Sequence, residues 1–167
     1  MLRRGRVTAG DSWHCERKRS PLSWLHYQFW NVLVLRNVRD LIGMGRLRRG
    51  TTGAAPISPD LIRWFQALGV PLYEGYGMTE TTGTIAMLPP EDHALDGNQR
   101  MRSAGKAVPG AELKVIGEDG GELPCGEVGE LICKSPSNMI GYWNLPDATR
   151  GALKDGWMHT GDAAYMD

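Results

Sequence analysis

Apolar positions between Trp24 and Leu41 fall at Leu25, Phe29, Val32, Leu33, the Val34–Leu35 pair, Val38 and Leu41. Spacings of three and four predict an amphipathic helix, stopped by Gly43 and Gly45. The simplest packing sets this helix on a sheet; contact with a membrane surface is the alternative. Arg46 to Arg49 then lead into small and polar residues, Gly50 to Ala55, that read as a turn, with Leu47 a hint of strand. Ser58-Pro59-Asp60 predicts a second helix start, with Ser58 as cap, Pro59 in the first turn and Asp60 at the positive end of the dipole. Leu61, Ile62, Phe65 and Leu68 make its apolar face and Gly69 ends it. Val70 to Tyr73 is a short extended run leading into Gly75 to Gly77. Beyond residue 103 the pattern becomes β: Ala111 to Ile116, Glu130 to Cys133 and a third strand from Gly156-Trp157-Met158. Glu118 to Gly121 and Asn144 to Asp147 read as turns between them. No fixed-period repeat is present.

Composition narrows the class. The 167 residues are 41% hydrophobic and 23% charged, the balance of a soluble globular domain rather than a disordered chain. The formal net charge of zero hides a split. Residues 1–50 carry 11 Lys and Arg against 3 Asp and Glu; residues 51–167 carry 8 against 16. The acidic remainder argues against a nucleic-acid binder, and residues 1–20 read as a solvated, disordered basic arm. Three cysteines without a C-x-x-C pair and four scattered histidines exclude a disulfide framework and a zinc motif, and point to a reducing, cytoplasmic setting. The apolar stretch from Pro21 to Leu35 is broken by His26, Gln28 and Asn31 and is too short to cross a bilayer.

The chemistry concentrates in Glu74-Gly75-Tyr76-Gly77-Met78-Thr79-Glu80-Thr81. Two glycines beside an aromatic ring leave room for a flat ligand, Thr79 offers a hydroxyl, and Glu80 offers an oxygen ligand for a hard cation. That set suits a nucleotide triphosphate with Mg²⁺, although taken alone it reads first as a glycine loop capped by Thr and Glu at a helix start. Gly53-Ala54-Ala55-Pro56 forms a second small-residue loop for close backbone approach. Gly105 to Gly110 and Gly126 to Leu131 precede the β runs. Asp162, in Trp157-Met158-His159-Thr160-Gly161-Asp162, could accept hydrogen bonds from vicinal ribose hydroxyls.

The order of these motifs resembles the AMP-forming adenylating enzymes: acyl-CoA synthetases, peptide-synthetase adenylation domains and beetle luciferases. Tyr76 to Glu80 is similar to the family's Y-G-x-T-E signature, Thr160-Gly161-Asp162 to its T-G-D, and Gly126 to Leu131 to its G-E-x-G-E-L run. Ala67 to Pro71 and Gly75 to Thr81 look most like long-chain fatty-acyl-CoA synthetases. The likeness covers about residues 22–167. It implies that Tyr76 stacks on adenine with Gly53, Ala54, Ala55 and Pro56 opposite, within a nucleotide pocket that also takes in Glu74, Gly75, Gly77 and Met78. Thr79 would bond the α-phosphate, Glu80 would hold Mg²⁺, Asp162 would bind the ribose, and Gly75 and Ala54 would flank the acyl chain. The implied substrates are ATP, a fatty acid and CoA. A carboxylate attacks the α-phosphorus, giving acyl-adenylate and pyrophosphate, and CoA thiolate then releases AMP.

The implied fold is α/β: part of the large N-terminal domain of such an enzyme, an α/β layer over residues 21–102 followed by a small distorted β-barrel subdomain over residues 103–167. Two parts of the family pattern are missing from these residues. The Ser/Thr/Gly-rich phosphate loop ending in Pro-Lys-Gly is one, and the mobile C-terminal domain with its catalytic lysine is the other. The expectation is a fragment of a long-chain fatty acid–CoA ligase, inactive alone. The alternatives are a non-catalytic nucleotide- or acyl-binding fragment, or an adenylating chain for another acid. Peripheral membrane contact and oligomeric state stay open.

Overall fold

A computed structural model describes residues 21–93 and 103–167, so the expected basic arm over residues 1–20 lies outside the described residues. Two four-stranded sheets and four α-helices make up the described fold. The first sheet has the order β1 (Gly50–Gly53), β2 (Leu72–Met78), β3 (Gly83–Leu88) and β4 (Lys106–Ala107). β1 runs parallel to β2, while β2/β3 and β3/β4 are antiparallel. The second sheet is antiparallel throughout, with the order β5 (Glu112–Ile116), β6 (Gly129–Lys134), β8 (Trp157–Ala164) and β7 (Leu153–Lys154). Mixed α/β followed by a small β subdomain is the expected class.

The first helical segment joins α1 (Pro21–Trp30), a π-helical turn over Asn31–Leu35 and α2 (Arg36–Leu41). It does not sink an apolar stripe into a sheet, as the packing expectation had it. Leu22, Leu25, Phe29, Val32 and Leu33 are all more than half exposed. Apolar residues stand on too many sides of this helix for one sheet to cover. A polar contact ties it to the end of the next helix: the Arg39 guanidinium bonds the Leu68 carbonyl and is braced at 2.6 Å by Asn31 Oδ1 of its own helical segment.

The parallel β1–β2 pair is bridged by α3 (Pro59–Ala67), whose Ile62 is fully buried and packs with Leu72, Ile57 and Phe65. Pro59 opens α3 as expected, but the Ser58 hydroxyl makes no capping bond; the Ser58 carbonyl accepts from Leu61 and Ile62 instead. Gly50 to Gly53 is a strand rather than part of a turn, because pairing with Leu72 to Gly75 overrides its weak intrinsic preference. Asn144 to Asp147 likewise leads into α4 (Pro146–Ala152), where Pro146 takes the first helical turn.

Two apolar clusters join the sheets. Ala86 of β3 packs with Val115 and Leu131, and Ile85 packs with Cys133 and Met158. Leu131 and Cys133 stand two residues apart on one face of β6, so both clusters form on the side that the second sheet turns toward β3. Tyr76 packs against both clusters. Fully burying side chains of this size contributes about 1.5–3 kcal/mol each.

Candidate functional site

Gly53 of β1 sits directly opposite Gly75 of β2, and beyond that pair the chain leaves β1 through Ala54. Ala54 has φ +65°, a conformation that costs an L-residue about 1–2 kcal/mol and concentrates at functional sites. Further along β2 the register slips between Tyr76 and Gly77, placing a bulge at Ile85 of β3, opposite the signature. Gly77 is obligatory there: a Cβ would lie 1.9 Å from the Gly83 carbonyl oxygen. The turn from β2 into β3, Thr79–Thr81, is held by the fully buried Thr81, whose Oγ1 accepts the Met78 N–H at 3.1 Å and lies 2.7 Å from the Gly83 carbonyl oxygen.

These loops surround an open cavity of about 530 Å³, the size of a small-molecule site. Its lining includes Thr52, Gly53, Ala54, Gly75, Gly77, Met78, Thr79 and Thr84. Five expected nucleotide-pocket residues and Thr79 therefore meet at one place from two separate strands. Ala55 and Pro56 follow the lining loop on the exposed surface.

Glu74 turns elsewhere. One carboxylate oxygen accepts the Ile57 N–H at 3.3 Å and the other stands 3.8 Å from His93 Nε2. The His93 ring is buried, and neither of its nitrogens has a hydrogen-bond partner among the described residues.

Two contacts carry the site across to the second sheet and to the loop that follows β6. The Tyr76 hydroxyl donates to Asp162 Oδ2, joining residues 86 positions apart. Burial raises the Tyr76 phenol well above its ordinary range, and the bond to the Asp162 carboxylate pushes it the same way. Glu80 is held twice by the loop that precedes α4: its carbonyl accepts the Met139 N–H at 2.6 Å, and Oε1 accepts the Tyr142 hydroxyl at 2.8 Å. The bond to Glu80 raises the Tyr142 phenol.

Glu80 Oε2 makes no hydrogen bond or ion pair among the described residues. No group of three or more His, Cys, Asp or Glu that could hold a metal occurs among the described residues. One carboxylate nevertheless fits Mg²⁺, which takes one or two protein carboxylates and fills its other positions with substrate phosphates and water.

Sequence reasoning missed Tyr142 and the Glu130–His159 pair, in which Glu130 Oε2 lies 2.9 Å from His159 Nδ1. The Gly126 to Leu131 run was the available signal for Glu130. Nothing local marks Tyr142.

The chain is similar to known proteins. The profile of the AMP-binding enzyme family matches residues 12–143. A fatty acid–acyl-carrier-protein ligase of Streptomyces coeruleorubidus is 45% identical over 122 residues, covering 72% of this chain and 23% of that protein. A long-chain-fatty-acid–CoA ligase of Salmonella typhimurium is 45% identical over 139 residues, covering 83% of this chain and 24% of that protein. Among solved structures, o-succinylbenzoate coenzyme A synthetase of Bacillus subtilis, in complex with ATP and magnesium ion, superposes with a TM-score of 0.63 at 33% identity. That match covers 72% of this chain and 24% of the synthetase. The chain thus spans about a quarter of the length of the relatives it matches.

Proposed function

The chain belongs to the AMP-binding enzyme family, and from that premise we propose that it supplies the adenine, ribose and metal side of the site of an ATP-dependent long-chain fatty acid–CoA ligase. The observation that carries this reading is the Tyr76–Asp162 bond. It ties the two nucleotide motifs together at Tyr76, which stands on β2 between Gly75 and Gly77 of the cavity lining.

In this reading Asp162 accepts from the ribose hydroxyls and the Tyr76 ring lies against the base. The backbone of Gly53, Ala54, Ala55 and Pro56 closes the other side, near Glu74, Gly77 and Met78. Thr79 donates to the α-phosphate. Gly75 and Ala54 leave the carboxylate of the acid room to reach the α-phosphorus in line. Mg²⁺ bound at Glu80 would neutralise phosphate charge as the two anions meet. CoA is the thiol acceptor of the second half-reaction. The setting is cytoplasmic; no described helix is long and apolar enough to cross a membrane, while the exposed Phe29, Trp24 and Trp30 suit peripheral contact.

Residues 21–102 and 103–167 act as the α/β and β portions of one AMP-binding domain. Among the described residues no lysine or arginine lines the cavity, and in this reading the chain does not complete adenylation alone. A second acid class is favoured by the likeness to an o-succinylbenzoate synthetase.

The test is Mg²⁺-dependent binding of a non-hydrolysable acyl-adenylate analogue to the purified chain, with saturation expected for wild type and loss in Asp162→Ala. Equal binding by both removes Asp162 from the site. A fatty-acyl chain that binds no better than a short or aromatic acyl group overturns the long-chain assignment. Oleate-dependent AMP formation by the purified chain overturns the claim that it is inactive alone.

A further inference from the structure

Asp162 does not sit on a regular strand. On β6 and β8, Glu130 pairs with Ala163 and Ile132 pairs with His159, so Leu131 alone faces the three residues Thr160 to Asp162. A bulge of this size removes ladder partners from the main-chain groups it contains, and those groups need partners elsewhere. Side chains provide them. Glu130 Oε1 accepts the Gly161 N–H at 3.1 Å while Oε2 holds His159 Nδ1 at 2.9 Å. Thr160 Oγ1 donates to the Leu131 carbonyl at 2.7 Å and accepts the Asp162 N–H at 3.1 Å. Gly161 adopts φ +71°, which turns the chain outward just before Asp162.

We propose that Glu130 is the positioning residue for Asp162: its carboxylate clamps both sides of the bulge and so fixes the direction in which Asp162 meets Tyr76 and, on the functional reading above, the ribose. Glu130 touches neither partner itself. It acts through the Gly161 amide and the His159 ring, one carboxylate oxygen to each. Burial works against its charge, yet the contacts with His159 and Gly161 hold the carboxyl below its ordinary range. The carboxylate is therefore the form that does the clamping at neutral pH.

The test uses the full 167-residue chain in three forms: wild type, Glu130→Gln, which keeps an acceptor for Gly161, and Glu130→Ala, which keeps none. NMR hydrogen exchange follows the Gly161 amide, and ¹³C-labelled tyrosine follows ionisation of Tyr76, which senses whether Asp162 is in place. AMP binding is measured in parallel.

In Glu130→Ala the Gly161 amide is expected to exchange roughly tenfold faster and AMP to bind roughly tenfold more weakly, as for loss of a charge-assisted hydrogen bond. Tyr76 should ionise closer to the ordinary tyrosine range, with Glu130→Gln intermediate in all three readouts. A role in fold stability alone would lower the unfolding temperature without moving Tyr76. Wild-type exchange and wild-type Tyr76 ionisation in the variants overturn the proposal, and Glu130→Gln decides if Glu130→Ala does not fold. Undiminished AMP binding by Glu130→Ala overturns it as well. If the exchange and ionisation changes occur but wild type binds no AMP, the clamp stands and the nucleotide reading fails.

Discussion

Removing the Tyr76 hydroxyl tests the link between the two halves of the site. Tyr76→Phe keeps the ring and its packing against the Ala86 and Ile85 clusters and deletes the hydroxyl, which donates to Asp162 and also meets the Thr160 side chain. A hydrogen bond to a charged acceptor is worth about 1.5–3 kcal/mol when well buried. Asp162 is exposed, so water replaces much of the loss and about 1 kcal/mol is the expected cost. For a chain of this size that corresponds to a fall of roughly 2–4 °C in Tm. The interaction is isolated by a double-mutant cycle with Asp162→Asn, read by urea unfolding, with an expected coupling of about 1 kcal/mol.

The pH arm has a definite sign. The folded phenol ionises above the unfolded one, so the bond's contribution is complete below about pH 10, the ordinary tyrosine value, and declines as pH rises toward the folded value. Tyr76→Phe should therefore be less sensitive to alkali than wild type. A coupling energy near zero together with unchanged alkaline sensitivity would refute the bond as a link between the sheets.

Two other outcomes follow from packing. Gly77→Ala drives a Cβ into the Gly83 carbonyl and should cost about 3 kcal/mol or more, visible as a lower urea midpoint and loss of adenylate-analogue binding. At pH 8 a maleimide should label exposed Cys125 within minutes and spare Cys133 until the protein unfolds, because burial pushes the Cys133 thiol up to about 11 and denies access. Equal labelling at both positions would contradict the buried β6.

The sequence carried local signals well and long-range ones poorly. α3 was legible because Pro59, the Ile62–Phe65 face and Gly69 act within one helix. β1 was not, since Gly-Thr-Thr-Gly has no apolar alternation and becomes a strand only by pairing with β2. α4 hid behind Asn144 to Asp147, where a proline suits a turn and a first helical turn equally. β3 was unassigned although Ile85, Ala86 and Leu88 are buried, because its run follows directly on the signature turn.

At the site, the composition of the Gly53 and Gly75 to Thr79 loops announced close backbone approach, and the cavity is where they meet. The Tyr142–Glu80 contact spans 62 positions and Glu130–His159 spans 29; neither separation leaves a trace in local periodicity.

The two sheets are fastened near the site at two points, Tyr76 with Asp162 and Glu80 with Met139 and Tyr142. The apolar clusters around Ala86 and Ile85 lie between the same two sheets, so these ties brace a packed joint rather than a hinge. On the functional reading above, the groups assigned to the sugar and to the cation are then held at a fixed spacing, as the grip on a single nucleotide requires.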